Sequence, residues 1–580
     1  MTSIEMLNSY KIDNYIFWVG AGISRSNPTS LPLGWDLTKF ALKEACGESV
    51  QNKVFDIWKI ANQLAQTDID NPAPLGALPR LESILGEIED VQNKLIGYEF
   101  NFLNGFSAFL DAPYNQNHLY LADLLQRGAT IITTNFDLCI QKAYFDLANA
   151  KDQLVPELEN EVCHYTSKSN NTTGKLWHIH GTSKEIDGLG ATVRKVKEGL
   201  PQSFQQYLDK IFDKGKLVIF LGYSASDSFD VNIYFQNSLS TSKSNAIFIQ
   251  HGEAKPSSNI ATLVKGFNDF AIEHHDTTAF LNTISKMPSG IVQNIFDWQN
   301  SFGKYIIPDE KGMTKSFLAC KMANMLGINI DKIEPFAYQN SFQIKECYES
   351  MDFHKTLAIV QRTRGDSKRE RLHDTTVKTK ESDLLGYYYS QGDYMKALEY
   401  AKSIDELISD ADKINTELDW STYTSMSAHC RPLVTKHLKS PFSKPSQDDL
   451  EKIKRLIKLT ETLGNRPLRN VRFINQIATA FRFHFILKAI LDNNDVDNEK
   501  TVLQLYGEGA SIVGFVSAFR DMAIKNYFLA KHHKGKFFFR NAQKYANKSY
   551  ELANLIGDHS GMKRAKQLIN FFKILSPLYW

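Results

Sequence analysis

The 580-residue chain has little of what would tie it to a metal, a membrane or a polyanion. Its six cysteines, Cys46, Cys139, Cys163, Cys320, Cys347 and Cys430, are widely scattered. They form no Cys-x-x-Cys pair, so neither a zinc site nor a disulfide framework is expected, and no metal. This usage fits a reducing cytoplasm. The N-terminus has no charged-then-apolar signal pattern. No apolar run approaches the roughly 20 residues that a membrane span needs. Charges nearly cancel, 67 Lys and Arg against 65 Asp and Glu, for a formal net charge of +2. No global field therefore recruits nucleic acid.

What the chain does have is ordinary globular composition, 43% hydrophobic and 23% charged, with 37 Phe and 24 Tyr to fill its cores. Single cores stop growing near roughly 250–300 residues, so several domains are expected. The most informative segment is Gly20-Ala21-Gly22-Ile23-Ser24-Arg25, after the apolar run Tyr15–Val19. That pattern reads as a buried parallel strand feeding a phosphate-binding loop. Gly20 and Gly22 would let the backbone approach a pyrophosphate and take φ > 0.

Three more apolar runs end in polar or glycine residues: Gly128–Asp137, Trp177–Thr182 and Leu217–Asp227. In an open α/β sheet the carboxyl ends of the strands form the ligand-binding edge. Strands are expected around Ile16–Val19, Thr130–Thr133, Leu176–Ile179, Leu217–Leu221, Ala246–Gln250 and Phe270–Glu273, alternating with helices as in a parallel sheet. Between the first two lies an insertion from about 41 to 125, read as helices broken at Asn71-Pro72-Ala73-Pro74.

The set and its order resemble the sirtuin, or SIR2, superfamily. The matching segments are Gly20–Ser24 (GAGIS), Thr133–Asp137 (TTNFD), His180–Gly181 and Gly222–Asp227 (GYSASD). The last form, with Asn115-Gln116-Asn117-His118 ahead of TTNFD, is similar to the SIR2-like branch of bacterial antiviral defence proteins. The resemblance implies a Rossmann-like α/β domain over residues 1–290 that uses NAD as substrate, with the insertion as a lid. It implies Asn135 as the ligand of the nicotinamide ribose and the attacking water, and His180 as the catalytic base. His178, which a continuous strand would put on the same face as His180, is read as packing beside the site. NAD contacts are expected at Gly20, Ala21, Gly22, Ser24, Arg25, Thr134, Asp137, Gly222, Ser224 and Asp227. Asp137 and Asp227 read equally as helix caps, and His118 as a structural residue. A neutral His180 would accept a proton, and the Asn135 amide would both donate and accept.

Two departures from deacylating sirtuins matter: no paired cysteines for zinc, and Arg25–Trp35 in place of a Pro-Asp-Phe-Arg segment. The expected activity is regulated hydrolysis of NAD to nicotinamide and ADP-ribose, depleting NAD in antiviral defence. A protein deacylase, an ADP-ribosyltransferase and a non-catalytic nucleotide-sensing scaffold are the alternatives.

From about Pro288 strand signals fade. Residues 291–580 read as an all-α, irregular tetratricopeptide-like array, from Leu384–Tyr388, Gly392–Tyr394 and Ala397, with an echo at Gly535, Ala542, Ala546 and Ala553–Asp558. Small residues at these spacings let paired helices stack. The polar stretch Thr363–Lys380 and the Pro-containing Lys439–Pro445 read as loops, with Ser446 capping the helix that follows. A regulatory protein partner or self-assembly is expected through this half.

Overall fold

The computed structural model describes residues 2–66, 75–76, 78–92, 102–150, 162–163, 175–196, 199–225, 227, 230–238, 243–250, 260, 263, 266–290, 294–305, 384–385, 388–389, 393–413, 420–439, 445–466, 474–508, 512–535 and 538–575. Asn71–Pro74, Thr363–Lys380, most of Lys439–Pro445, Ser226, Gly386, Tyr387 and Gly392 lie outside them. The chain divides into two compact units. The first comprises residues 1–41 and 80–314, the second 42–79 and 315–580.

The first unit holds seven parallel strands: β1 (Tyr15–Val19), β2 (Thr130–Thr133), β3 (Val162–Cys163), β4 (Leu176–His178), β5 (Leu217–Leu221), β6 (Asn245–Gln250) and β7 (Phe270–His274). Their order across the sheet is β3-β4-β2-β1-β5-β6-β7. Setting aside the two-residue β3, which had no counterpart in the sequence reading, six strands follow the doubly wound order 3-2-1-4-5-6. The topological switch point falls between β1 and β5, paired from Tyr15↔Leu217 to Val19↔Leu221.

The strand pattern explains the sheet. Every residue of β1 and β5 is buried. Ile16 and Trp18 pack on one face with Val218, Phe220 and the helices Gln202–Phe212 and Val231–Ser238. Tyr15, Phe17 and Val19 pack on the other with Ile219 and the helices Gln116–Gln126 and Thr277–Ile284. Strands covered on both faces read as continuous apolar runs rather than alternating ones. A separate aromatic cluster gathers Phe40, Phe102, Phe106, Phe109 and Phe302. A Cβ on Gly105 would sit inside the Phe302 ring, so only glycine fits there.

In the second unit every described element is helical. Residues 42–79 cluster with it, and Trp58 of the helix Glu48–Ala65 meets Phe515 edge-on at 4.9 Å. Small residues let the helices approach, as Ala530, Ala542 and Ala546 do around Phe572. Ser446 caps the helix Gln447–Gly464 through the Asp449 N–H. The interior also buries charge. Asp521 is fully buried and pairs with Arg482, while Lys525 pairs with Glu499 at 3.0 Å. No described helix is long and apolar enough to cross a membrane.

Candidate active site

The ends of β4, β2, β1 and β5 stand side by side along the carboxyl edge of the sheet. After β1 the chain enters a tight turn, Ala21–Ser24. Gly20 N–H donates to Leu221 O (3.0 Å) and Gly22 N–H to Gly222 O (2.9 Å). The glycines serve this backbone-to-backbone approach. A Cβ on Gly20 would lie 2.6 Å from Gly222 O, and one on Gly22 2.7 Å from Gly222 Cα. The expectation of φ > 0 at Gly20 and Gly22 is corrected. Gly20 is extended at φ −113°, and the left-handed residue is Gly222 at φ 57°.

Ser24 gathers the β1–β2 side of the edge. Its hydroxyl donates to Asp137 Oδ2 (2.9 Å), receives the Asn135 Nδ2 amide (3.2 Å), and lies 3.1 Å from His118 Nε2. Asp137 Oδ1 accepts the Cys139 N–H and so starts the helix Cys139–Ala150. Phe136, between Asn135 and Asp137, packs edge-on against Phe106 at 5.2 Å and anchors the turn. Thr134 N–H donates to Val19 O (3.0 Å), tying the end of β2 to β1. Asn135 is buried, and its Oδ1 has no hydrogen-bond partner among the described residues.

His118, read from sequence as structural, touches this group. The Asn115 side chain caps the helix Gln116–Gln126 and holds the β1 turn through Ile23 O (2.8 Å) and Ser26 O (3.1 Å). Burial pushes the His118 imidazole down to about 4, against a smaller upward pull from Asp137. His118, Asp137 and Cys139 bring one potential ligand atom each within 4.8 Å of one another. The scattered sequence positions gave no sign of this grouping. Its nitrogen and oxygen atoms are committed to the bonds above, and the buried Cys139 thiol, held well above its ordinary value by burial, points to Ala112 O and Pro113 O. We therefore do not assign it as a metal centre.

The β4 side differs. The strand ends at His178, and Ile179 and His180 form a turn closed by Gly181 at φ 80°. Strand alternation stops there, so the expectation that His178 and His180 share a face is corrected. The His178 ring faces Asn135 O (3.1 Å) through Nδ1 and Gln141 (2.5 Å) through Nε2, fully buried. His180 turns instead to Asp230, 2.9 Å from Nε2. Burial would lower the His180 value, but Asp230, Asp227 and Glu82 outweigh it and raise it to about 9. The carboxylates around His180 thus favour its imidazolium form, where the sequence led to the expectation of a neutral ring. Burial pushes Asp227 up to about 6, against the pull of His180. Thr182 Oγ1 and Ser183 Oγ, just past the turn, are buried without partners among the described residues.

Asp230 was missed in the sequence. It begins the helix Val231–Ser238 and takes the Val231 N–H at 2.6 Å, so a helix start was its only local sign. Ser224 is exposed, three residues before Asp227. Arg25 turns outward to Asp36 (3.5 Å) and the Trp35 ring.

The SIR2-like domain family matches residues 129–268. The match runs from β2 to the end of the β6–β7 connection and includes Asn135, His180 and Gly222–Asp227; the β1 turn lies outside it. This supports the SIR2-like superfamily for that part of the chain and fits NAD-related chemistry in general. No curated protein matches the chain.

Proposed function

We propose that the chain is an NAD hydrolase that cleaves the bond between nicotinamide and ribose, with Asn135 and His180 as its catalytic residues. The observation that carries this reading is the buried Asn135 Oδ1, an acceptor without a partner among the described residues, where β2 and β4 end together. Buried polar atoms rarely stay unpaired in a native protein, so an orphan of this kind at a ligand edge fits a polar ligand. Thr182 Oγ1 and Ser183 Oγ add two more such atoms beside His180. These residues fit a ribose better than a purely apolar ligand.

NAD bound there supplies an N-glycosidic bond whose leaving group departs neutral, so little general acid is required of the protein. Asn135 Oδ1 would orient a hydroxyl or a water. His180 would take a proton once its own is lost, a positioned role typically worth about 10²–10⁴ in rate. The turn Gly20–Arg25, with Gly222–Ala225 and Asp227, would flank the rest of the dinucleotide. The helical region, in this reading a tetratricopeptide-like array, would restrain the activity until a trigger or self-assembly releases it. The activity would then deplete NAD in the cytoplasm during antiviral defence.

The test is NAD consumption by the purified full chain, alone and with candidate activators, with nicotinamide and ADP-ribose measured as products. Loss in both Asn135→Ala and His180→Ala supports the reading. Turnover only with an acyl-lysine peptide would replace it with deacylation.

A further inference from the structure

The Asn115–His118 turn has no part in the proposed chemistry, yet its histidine is fully buried against the same serine that holds Asn135. The direction of each hydrogen bond in this group follows from the partners alone. The Asp137 carboxylate can only accept, and Ser24 has one hydroxyl hydrogen, which goes to Asp137 at 2.9 Å. Both other partners of Ser24 Oγ must then donate to it. Asn135 therefore presents Nδ2, and His118 presents an Nε2–H.

An independent contact demands the same tautomer. The Asn115 backbone N–H, a donor only, lies 3.0 Å from His118 Nδ1, so that nitrogen must accept. The turn is itself clamped: Asn115 also bonds Ile23 O and Ser26 O on either side of Ser24. Burial that disfavours the imidazolium agrees with a neutral ring here. With Nδ2 committed to Ser24, the amide oxygen of Asn135 is left facing away from the network, and it is this oxygen that has no partner among the described residues.

We infer that His118 is a positioning residue which acts through Ser24 to fix the Asn135 amide with Oδ1 as the acceptor presented to the ligand. A flipped amide would set an oxygen against a hydroxyl whose only hydrogen is already given to Asp137. The ligand group facing Asn135 is thereby a donor, a hydroxyl or a water. The inference rests on the proposed hydrolase only for its kinetic consequence; the network stands on geometry.

The experiment has two arms on the full chain. In the first, nitrogen-15 NMR of selectively histidine-labelled protein reads the His118 tautomer between pH 6 and 8, assigned by His118→Gln. The expected result is a neutral ring with a slowly exchanging Nε2–H; an Nδ1–H tautomer or an imidazolium overturns the inference. In the second, NAD turnover is compared in His118→Leu, His118→Gln and wild type, with melting curves to monitor folding. His118→Leu is expected to lose about tenfold to a hundredfold in kcat with KM nearly unchanged. His118→Gln, which keeps a donor toward Ser24, should recover to within a few-fold of wild type. Equal activity of both variants, or equal loss in both at matched stability, overturns the positioning role. If the wild type cleaves no NAD while the Nε2–H tautomer is present, the hydrolase reading fails and the network survives; the wrong tautomer in an active enzyme is the reverse.

Discussion

The two sides of the carboxyl edge are built from opposite materials. On the β1–β2 side, Ser24, Asn135, Asp137 and a neutral His118 form a group in which each bond has one permitted direction. On the β4–β5 side, His180 and Asp230 form an ion pair, with Asp227 and Glu82 adding negative charge. β4 and β5 are separated in the sheet by β2 and β1, roughly 14 Å at ordinary strand spacing. The contact of His180 with Asp230 therefore joins residues that follow two strands with two others between them in the sheet. Directed hydrogen bonds hold an amide in one orientation whatever the pH near neutrality. A buried ion pair makes its members sensitive to pH and to any charge that arrives beside them. The first side suits holding a ligand group, the second suits moving a proton.

The largest expected effect tests whether both sides serve one reaction. Asn135→Ala and His180→Ala should each lower NAD cleavage at least about a hundredfold while the fold survives, since neither side chain belongs to the apolar core, although His180→Ala gives up stability by leaving Asp230 buried without its partner. Product assays and melting curves together decide it. His178, locked between Asn135 O and Gln141, is the control. Activity lost in His178→Ala but kept in His180→Ala would move the base to His178.

Next in size is the contact that joins the sides at the switch point. Gly22→Ala sets a methyl 2.7 Å from Gly222 Cα, with backbone on both sides and no flexible side chain to yield. A loss of about 1–3 kcal/mol in denaturant unfolding is expected. An unchanged midpoint would show that the two turns can separate.

The charged side should then reveal itself in pH dependence. With His180 raised to about 9, kcat/KM is expected to climb as pH rises toward that value. The sign for stability is opposite. A histidine held above its ordinary 6.5 lends its pairing in full below 6.5 and loses it as pH rises through about 9. Asp230→Asn removes the first carboxylate that raises it, so the activity limb should move to lower pH. A limb that stays in place would mean that Asp230 does not govern His180. The smallest effect is expected outside both groups. Arg25→Ala loses an exposed pair with Asp36 and should change stability by no more than about 0.5 kcal/mol. A clear loss of NAD affinity in that variant would bring Arg25 back to the pyrophosphate.

Much of this site could be read in the sequence. Asn135, Asp137, Gly222 and Asp227 follow apolar runs, and such runs end at the ligand edge of a parallel sheet. His118 reads from sequence only as structural and Asp230 goes unnoticed, because their meaning lies in partners 94 and 50 positions away, Ser24 and His180. No local period encodes such a pair. His180 was found for its glycine, but the carboxylates that favour its charged form, Asp230 and Asp227, follow another strand and leave no sign beside it in the sequence.

The amino-acid sequence by itself determined six of the seven strands, the alternation with helices and the all-helical region that follows. Burial on two faces demands continuous apolar runs, and helix pairing demands small residues, so both are written locally. Only the tertiary structure decided which face His180 turns to, that Gly20 and Gly22 meet Gly222, that residues 42–79 cluster with the helical unit, and which atom Asn135 presents. Each of these is set by groups far apart in the chain, where a single donor or acceptor must match what the fold places opposite it.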